Sequence, residues 1–169
     1  MALAVVGGGR RSGKSKYAQA LASSHGARLG FIATLATADE ESAAKAAAAR
    51  AERGPEFVTF EEPLEIITLI RRHGELFDAI VIDDLTIWVA NLIMAGGRDV
   101  EAEARELLDL AATCPAELIV VTSDVDFGFP VDSEASRAMR RDAGLINRMV
   151  AEASSRLYWM VFGIPKRIR

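Results

Sequence analysis

The segment Gly8-Gly9-Arg10-Arg11-Ser12-Gly13-Lys14-Ser15 fits the pattern GxxxxGK[ST], with an apolar run at 3–6 before it and a helix-forming run from Lys14 onward. This context constrains the fold more than any other feature, because such a loop works only where a strand leads directly into a helix. Its glycines let the backbone curl until successive N–H groups point at phosphate oxygens, and the helix that follows aims its positive end at the same place. The pattern assigns Gly8, Gly9, Arg10, Arg11, Ser12, Gly13, Lys14 and Ser15 to a nucleoside triphosphate. Lys14 would reach the β- and γ-phosphates as a catalytic cation, and the Ser15 hydroxyl would be a ligand of Mg²⁺.

The rest of the chain alternates short apolar runs with longer helical stretches. Strands are expected at 3–6, 29–33, 57–60, 79–83, 118–122 and 157–162, and helices at 14–24, 39–53, 63–73, 87–94, 100–113 and 134–155. Most of the strand runs are continuously apolar rather than alternating, as expected of parallel strands covered on both faces. The expectation is therefore an α/β fold with a mainly parallel sheet and helices on both faces. The stretch 42–51 is nearly all alanine and offers a helix little apolar anchoring. Gly96-Gly97, 128–130 and 163–165 read as turns or hinges.

One of the apolar runs ends in Asp83. A carboxylate at a strand end is common, but beside a phosphate loop it is the expected second holder of Mg²⁺, with Asp84 next to it able to share the role. Asp83 is accordingly assigned to catalysis and metal.

With 169 residues, half of them hydrophobic, the chain can bury a core as one domain over 1–169 without disulfides. Its single cysteine, Cys114, forms no intramolecular bridge and reads as a small buried hydrophobe. A net charge of −4 argues against nucleic acid as a partner. The start is too short for a signal peptide, and no run approaches the roughly 18 apolar residues that span a bilayer, so a cytoplasmic location is expected.

Several segments, in order, resemble one family, the bifunctional adenosylcobinamide kinase/adenosylcobinamide-phosphate guanylyltransferases of cobalamin biosynthesis. They are 7–15, Phe31-Ile32-Ala33-Thr34, Asp39-Glu40-Glu41, Arg50-Ala51-Glu52-Arg53 with Thr59 and Glu61, and 81–86 with Asn91-Leu92. They continue through 121–125, Gly144 with Asn147, and a last strand ending at 163–165. The resemblance implies a RecA-like P-loop NTPase fold, a homo-oligomer, often a trimer, and nucleotide contacts from Thr34, Arg50, Arg53 and Glu61. It implies two reactions. ATP or GTP first phosphorylates the aminopropanol hydroxyl of a corrinoid, adenosylcobinamide. A histidine then takes GMP from GTP and passes it to that phosphate.

Here the chain departs from its family. Alignment of 50–53 puts the guanylylated histidine at Ala49, and a methyl group cannot attack phosphorus. The two histidines present, His25 and His73, lie at other spacings. The family's Thr-Asn-Glu-Val-Gly appears as Thr122-Ser123-Asp124-Val125-Asp126, and its Arg-Asp becomes Arg140-Arg141-Asp142. The expected function is an adenosylcobinamide kinase with guanylyl transfer in doubt. The alternatives are a nucleotide-binding or regulatory protein and a kinase for another small molecule. Trp88, Phe127 and Phe129 are candidates for a corrinoid surface or for ordinary packing.

Overall fold

The computed structural model describes residues 3–36, 43–44, 47–48, 50–51, 53–124 and 133–169. The order is β1 (Leu3–Gly8), α1 (Lys14–Ser23), β2 (Leu29–Ala33), β3 (Phe57–Glu61), α2 (Ile66–His73), β4 (Ala79–Asp83) and α3 (Leu85–Ala95). Then follow α4 (Val100–Thr113), β5 (Glu117–Ser123), α5 (Glu134–Ala153), β6 (Arg156–Val161) and β7 (Ile164–Arg167). A short 3-10 turn, Gly74–Leu76, follows α2. The described residues between 43 and 51 are helical and exposed.

The strands form one seven-stranded sheet in the order β3-β2-β4-β5-β1-β6-β7. Every pairing is parallel except the hairpin of β6 and β7. Because side chains alternate across a pleated strand, continuous apolar runs feed two separate cores. Leu3, Val5, Ile80, Ile82, Leu118 and Val120 face α2, α3, α4 and α5. Ala4, Val6, Val81, Ile119 and Val121 face the other way, onto Ala18 and Ala22 of α1. Small alanines let α1 lie close to the sheet, which brings the loop ahead of it over the strand ends. The expected helices on both faces are present, with α2, α3, α4 and α5 on one side and α1 on the other.

Trp88 belongs to the packing alternative. It is fully buried in α3 and its indole N–H donates to the Leu64 carbonyl at 2.9 Å, so it lines no ligand surface. Phe127 and Phe129 lie outside the described residues. Cys114 is only half-buried, more open than the buried hydrophobe expected from the sequence. No helix among the described residues is long and apolar enough to cross a membrane.

Candidate active site

Between β1 and α1 the chain turns through conformations that favour glycine. Gly8 has φ 151 and Gly13 has φ 90, and a Cβ on Gly8 would come within 2.8 Å of the Ser12 hydroxyl and 3.0 Å of the Met160 carbonyl. Gly13 caps α1 without any side-chain hydrogen bond, and no acidic residue occupies the first turn. The first amides of the helix therefore remain available to an anion, and the helix dipole favours one there. Lys14 reaches back across the loop, its Nζ donating to the Gly9 carbonyl at 2.8 Å. Its stem is buried, which pushes the ammonium below its ordinary value, while Asp84 and Asp83 act in the opposite direction.

β5 lies between β1 and β4, so Asp83 stands across one strand from the phosphate loop. That spacing lets the Ser15 hydroxyl donate to the Asp83 carboxylate. Asp83 is pushed up to about 6, chiefly by the protein packed around it, with the Ser15 bond lowering it, Asp84 raising it, and Arg53 and Lys14 lowering it. Arg53 closes the other side. Its guanidinium lies 3.4 Å above the Phe31 ring, Nη1 donates to the Thr59 hydroxyl at 3.0 Å, and the buried Nε has no hydrogen-bond partner. Burial pushes Arg53 below its ordinary value, opposed by Asp83.

Two adjoining cavities meet at this pair. The larger, about 700 Å³, is lined by Arg11, Ser12, Gly13, Lys14, Ser15, Lys16, Gln19, Arg53 and Asp83. The smaller, about 280 Å³ and more apolar, is lined by Phe31, Ala33, Leu35, Arg50, Arg53, Thr59, Glu61, Asp83, Asp84 and Ile87. The fold thus gathers most of the residues singled out by sequence, with Arg50 and Glu61 in the second compartment. Lys16 and Gln19 were missed; Lys16 directly follows the loop and Gln19 stands one helical turn beyond Ser15, which is the signal that could have found them.

Thr34 is placed differently. It is fully buried, its hydroxyl donating to the Asp84 carbonyl at 2.8 Å and accepting from the Asp84 amide at 2.9 Å. A hydroxyl so engaged bears on the cleft through the Asp83–Asp84 backbone rather than by direct contact. Asp84, whose sharing of the metal role the sequence leaves open, lines the smaller cavity with both carboxylate oxygens engaged inside the protein. One of its carboxylate oxygens accepts from the Thr86 amide, capping α3, and the other from the Ser123 hydroxyl at 2.9 Å. Asn147 extends this polar network by donating to the Ser123 carbonyl, and Asn91 by donating to the Thr34 carbonyl. Together these bonds fix the ends of β2, β4 and β5 around the cleft.

Among the described residues no cluster of three His, Cys, Asp or Glu side chains is able to hold a metal ion. A protein-made cage is not needed for Mg²⁺, which keeps most of its shell for water and substrate phosphates. The hard oxygens of Ser15 and Asp83, already in contact, fit that partial role. Its pH dependence follows from Asp83. A carboxyl raised from 3.8 to about 6 loses its charged, metal-binding form as pH falls through 6. The same shift makes the fold itself less stable as pH rises between those values, because the folded chain holds the proton longer. Calorimetric Mg²⁺ affinity at saturating nucleotide is expected to fall about tenfold per unit below about pH 6, relative to an Asp83→Asn variant that cancels the nucleotide's own protonation. A flat difference between the two would remove Asp83 from the metal site.

Neither histidine lines either cavity. His25 Nε2 meets the Arg156 guanidinium at 2.9 Å, and His73 stacks on Phe60 with ring centroids 5.7 Å apart. Ala49 and Asp126 lie outside the described residues.

A family model described as cobinamide kinase / cobinamide phosphate guanyltransferase matches residues 4–168. The bifunctional adenosylcobalamin biosynthesis protein CobP of Pseudomonas aeruginosa is 31% identical over 163 residues, covering 96% of this chain and 94% of its own. The bifunctional adenosylcobalamin biosynthesis protein CobU of Escherichia coli is 30% identical, covering 98% of each chain. Among solved structures, the flagellar accessory protein FlaH of Methanocaldococcus jannaschii superposes with a TM-score of 0.59 at 14% identity, covering 99% of this chain and 78% of its own. The RadB recombinase does so with a TM-score of 0.53 at 16% identity, covering 94% and 73%. At such identities the likeness shows the fold alone, which is the RecA-like α/β fold of P-loop NTPases.

Proposed function

The chain belongs to the cobinamide kinase / cobinamide phosphate guanyltransferase family, and from that premise we propose that it is an adenosylcobinamide kinase whose guanylyl transfer is lost or severely weakened. The observation that carries the first half is the pair of cavities sharing Asp83 and Arg53. The larger offers Lys14, Ser15 and uncapped helix amides to a triphosphate. The smaller offers an apolar wall and a polar mouth to an acceptor. In the reaction, the aminopropanol hydroxyl oxygen bonds to the γ-phosphorus of ATP or GTP and gives up its proton to solvent, the bond from that phosphorus to the β–γ bridging oxygen breaks, and the nucleoside diphosphate leaves. Mg²⁺, held by Ser15 and Asp83, would neutralise charge on the phosphate oxygens. Lys14 and the loop amides hold the triphosphate, while Arg53 supplies positive charge at the junction of the cavities and Arg50 supplies it within the smaller one.

The second half rests on chemistry that the chain lacks. Its two histidines are engaged away from the cleft, and Ala49 stands where the family aligns its nucleophile. A neutral imidazole is what makes a transferable GMP–enzyme bond near neutral pH. One domain over 1–169, a homo-oligomer with a trimer as the expected state, and a cytoplasmic location belong to the same proposal.

Mass spectrometry of adenosylcobinamide incubated with the protein, Mg²⁺ and GTP separates the readings. A corrinoid that gains one phosphate and stops is the expected product. A corrinoid carrying GDP would overturn the loss of guanylyl transfer. An unmodified corrinoid would overturn the kinase and leave a nucleotide-binding module as the better reading.

A further inference from the structure

The packing of α1 decides which of its flanks borders the phosphate loop. Ala18 and Ala22 lie on the sheet, and the helix packs over β1, β5 and β4. Tyr17 meets Tyr158 of β6 edge to face, with ring centroids 5.1 Å apart, so that flank of the helix is turned toward the hairpin. At about 100° per residue, Gln19 stands roughly 200° round the helix from Tyr17 and roughly 40° from Ser15. The flank that carries Ser15 and Gln19 therefore faces β4, where Asp83 stands and Arg53 closes the cleft. The walls of the larger cavity agree with this: among the described residues they include Lys16, Gln19, Arg53 and Asp83 and none from β6. Gln19 is half-buried there, and its side-chain amide makes no hydrogen bond among the described residues.

Within this one cavity Lys14, Ser15 and Asp83 mark the end that suits the terminal phosphate and its metal. Gln19 lies about 6 Å further along α1 than Ser15, with Lys16 between the two in sequence. A nucleotide that fills the cavity from Asp83 onward brings its α-phosphate and sugar over Lys16 and Gln19, on the same side of the loop as Arg53. We propose that Gln19 reads the ribose of the nucleoside triphosphate, its side-chain amide hydrogen-bonding the 2′- and 3′-hydroxyls, with the Lys16 ammonium beside the α-phosphate. The side-chain types divide these tasks. An ammonium offers three donors and a charge, which suit phosphate, whereas a neutral amide offers both donors and an acceptor, which suit hydroxyls that also donate and accept. The contact selects a ribonucleotide whatever its base. The assignment rests on triphosphate binding at Gly8 to Ser15.

Binding of GTP, 2′,3′-dideoxyGTP and inorganic tripolyphosphate, each with Mg²⁺, to the full chain, to Gln19→Leu and to Lys16→Ala tests it. The unaltered chain is expected to hold GTP about tenfold more tightly than the dideoxy analogue, because the analogue leaves the amide without its partners. Gln19→Leu should raise the Kd of GTP about tenfold, to that of the analogue, and leave the analogue and tripolyphosphate unchanged. Lys16→Ala should weaken GTP and the analogue by the same factor. Equal affinity of the unaltered chain for GTP and the analogue would overturn the ribose contact. A Gln19→Leu variant that still prefers GTP, or that loses all three ligands equally, would also overturn it. Failure of the unaltered chain to bind either GTP or tripolyphosphate would instead overturn the phosphate loop itself.

Discussion

Lys14→Ala is expected to lower phosphoryl transfer to the corrinoid on the order of a thousandfold, about 4 kcal/mol of transition-state stabilisation. The residue is nearly enclosed, with 7% of its surface exposed, and its ammonium is held over the loop by the Gly9 carbonyl. A charge in that setting acts on the migrating phosphoryl group with little screening by water. The same enclosure is costly to the folded chain, because desolvation is the largest influence on Lys14. Removing the charge is therefore expected to leave the melting temperature close to that of the unaltered protein. Lys14→Met, which keeps the apolar stem, should lose activity to the same extent. Single-turnover transfer from γ-labelled GTP, read beside a thermal melt, checks both parts. Activity within tenfold of the unaltered chain would take Lys14 out of the chemistry.

Trp88→Ala should act on stability and not on the reaction. The indole is fully buried in the core on the face of the sheet that α2, α3, α4 and α5 cover, and its N–H is the partner of the Leu64 carbonyl. Truncation removes a large apolar surface, leaves a cavity and strands that carbonyl, for a cost of about 3–5 kcal/mol. In a domain of this size such a loss lowers the melting temperature by roughly 10–15 °C. Trp88→Phe should recover part of the packing but not the hydrogen bond. A melt within about 3 °C of the unaltered protein would show that the site collapses around the missing ring.

The bounds of β2, β4 and α4 agree with the ranges read from sequence, because each is bracketed by residues with strong local preferences. Asp99 caps α4 by accepting from the Glu101 and Ala102 amides, and the apolar runs of β2 and β4 stop at polar or turn-forming residues. Other limits moved where a side chain acted locally. α2 begins at Ile66 rather than 63 because the Glu62 carboxylate accepts from the Leu64 and Glu65 amides, holding a turn there. α3 begins at Leu85 rather than 87 because Asp84 caps it. β7 was not expected at all. Pro165-Lys166-Arg167 has no apolar run, and the segment becomes a strand only because β6 presents an open edge to it.

The site divides along the same line. A phosphate loop is legible in sequence because its requirements are local: glycines at strained backbone positions, a lysine and a serine at the start of a helix, and an apolar strand before them. Asp83 was legible as the end of such a strand. Its distance from Ser15 was not, since that depends on β5 entering the sheet between β1 and β4, a pairing between segments far apart in the chain. Only tertiary packing turned Asp84 and Thr34 inward, set Arg53 on Phe31, and raised Asp83 to about 6. Burial and charge at a site are sums over neighbours from many segments, whereas backbone conformation is decided largely by a residue and those beside it. The sequence by itself therefore determined the phosphate-loop pattern and the family, and the fold decided which side chains line the cleft beside that loop.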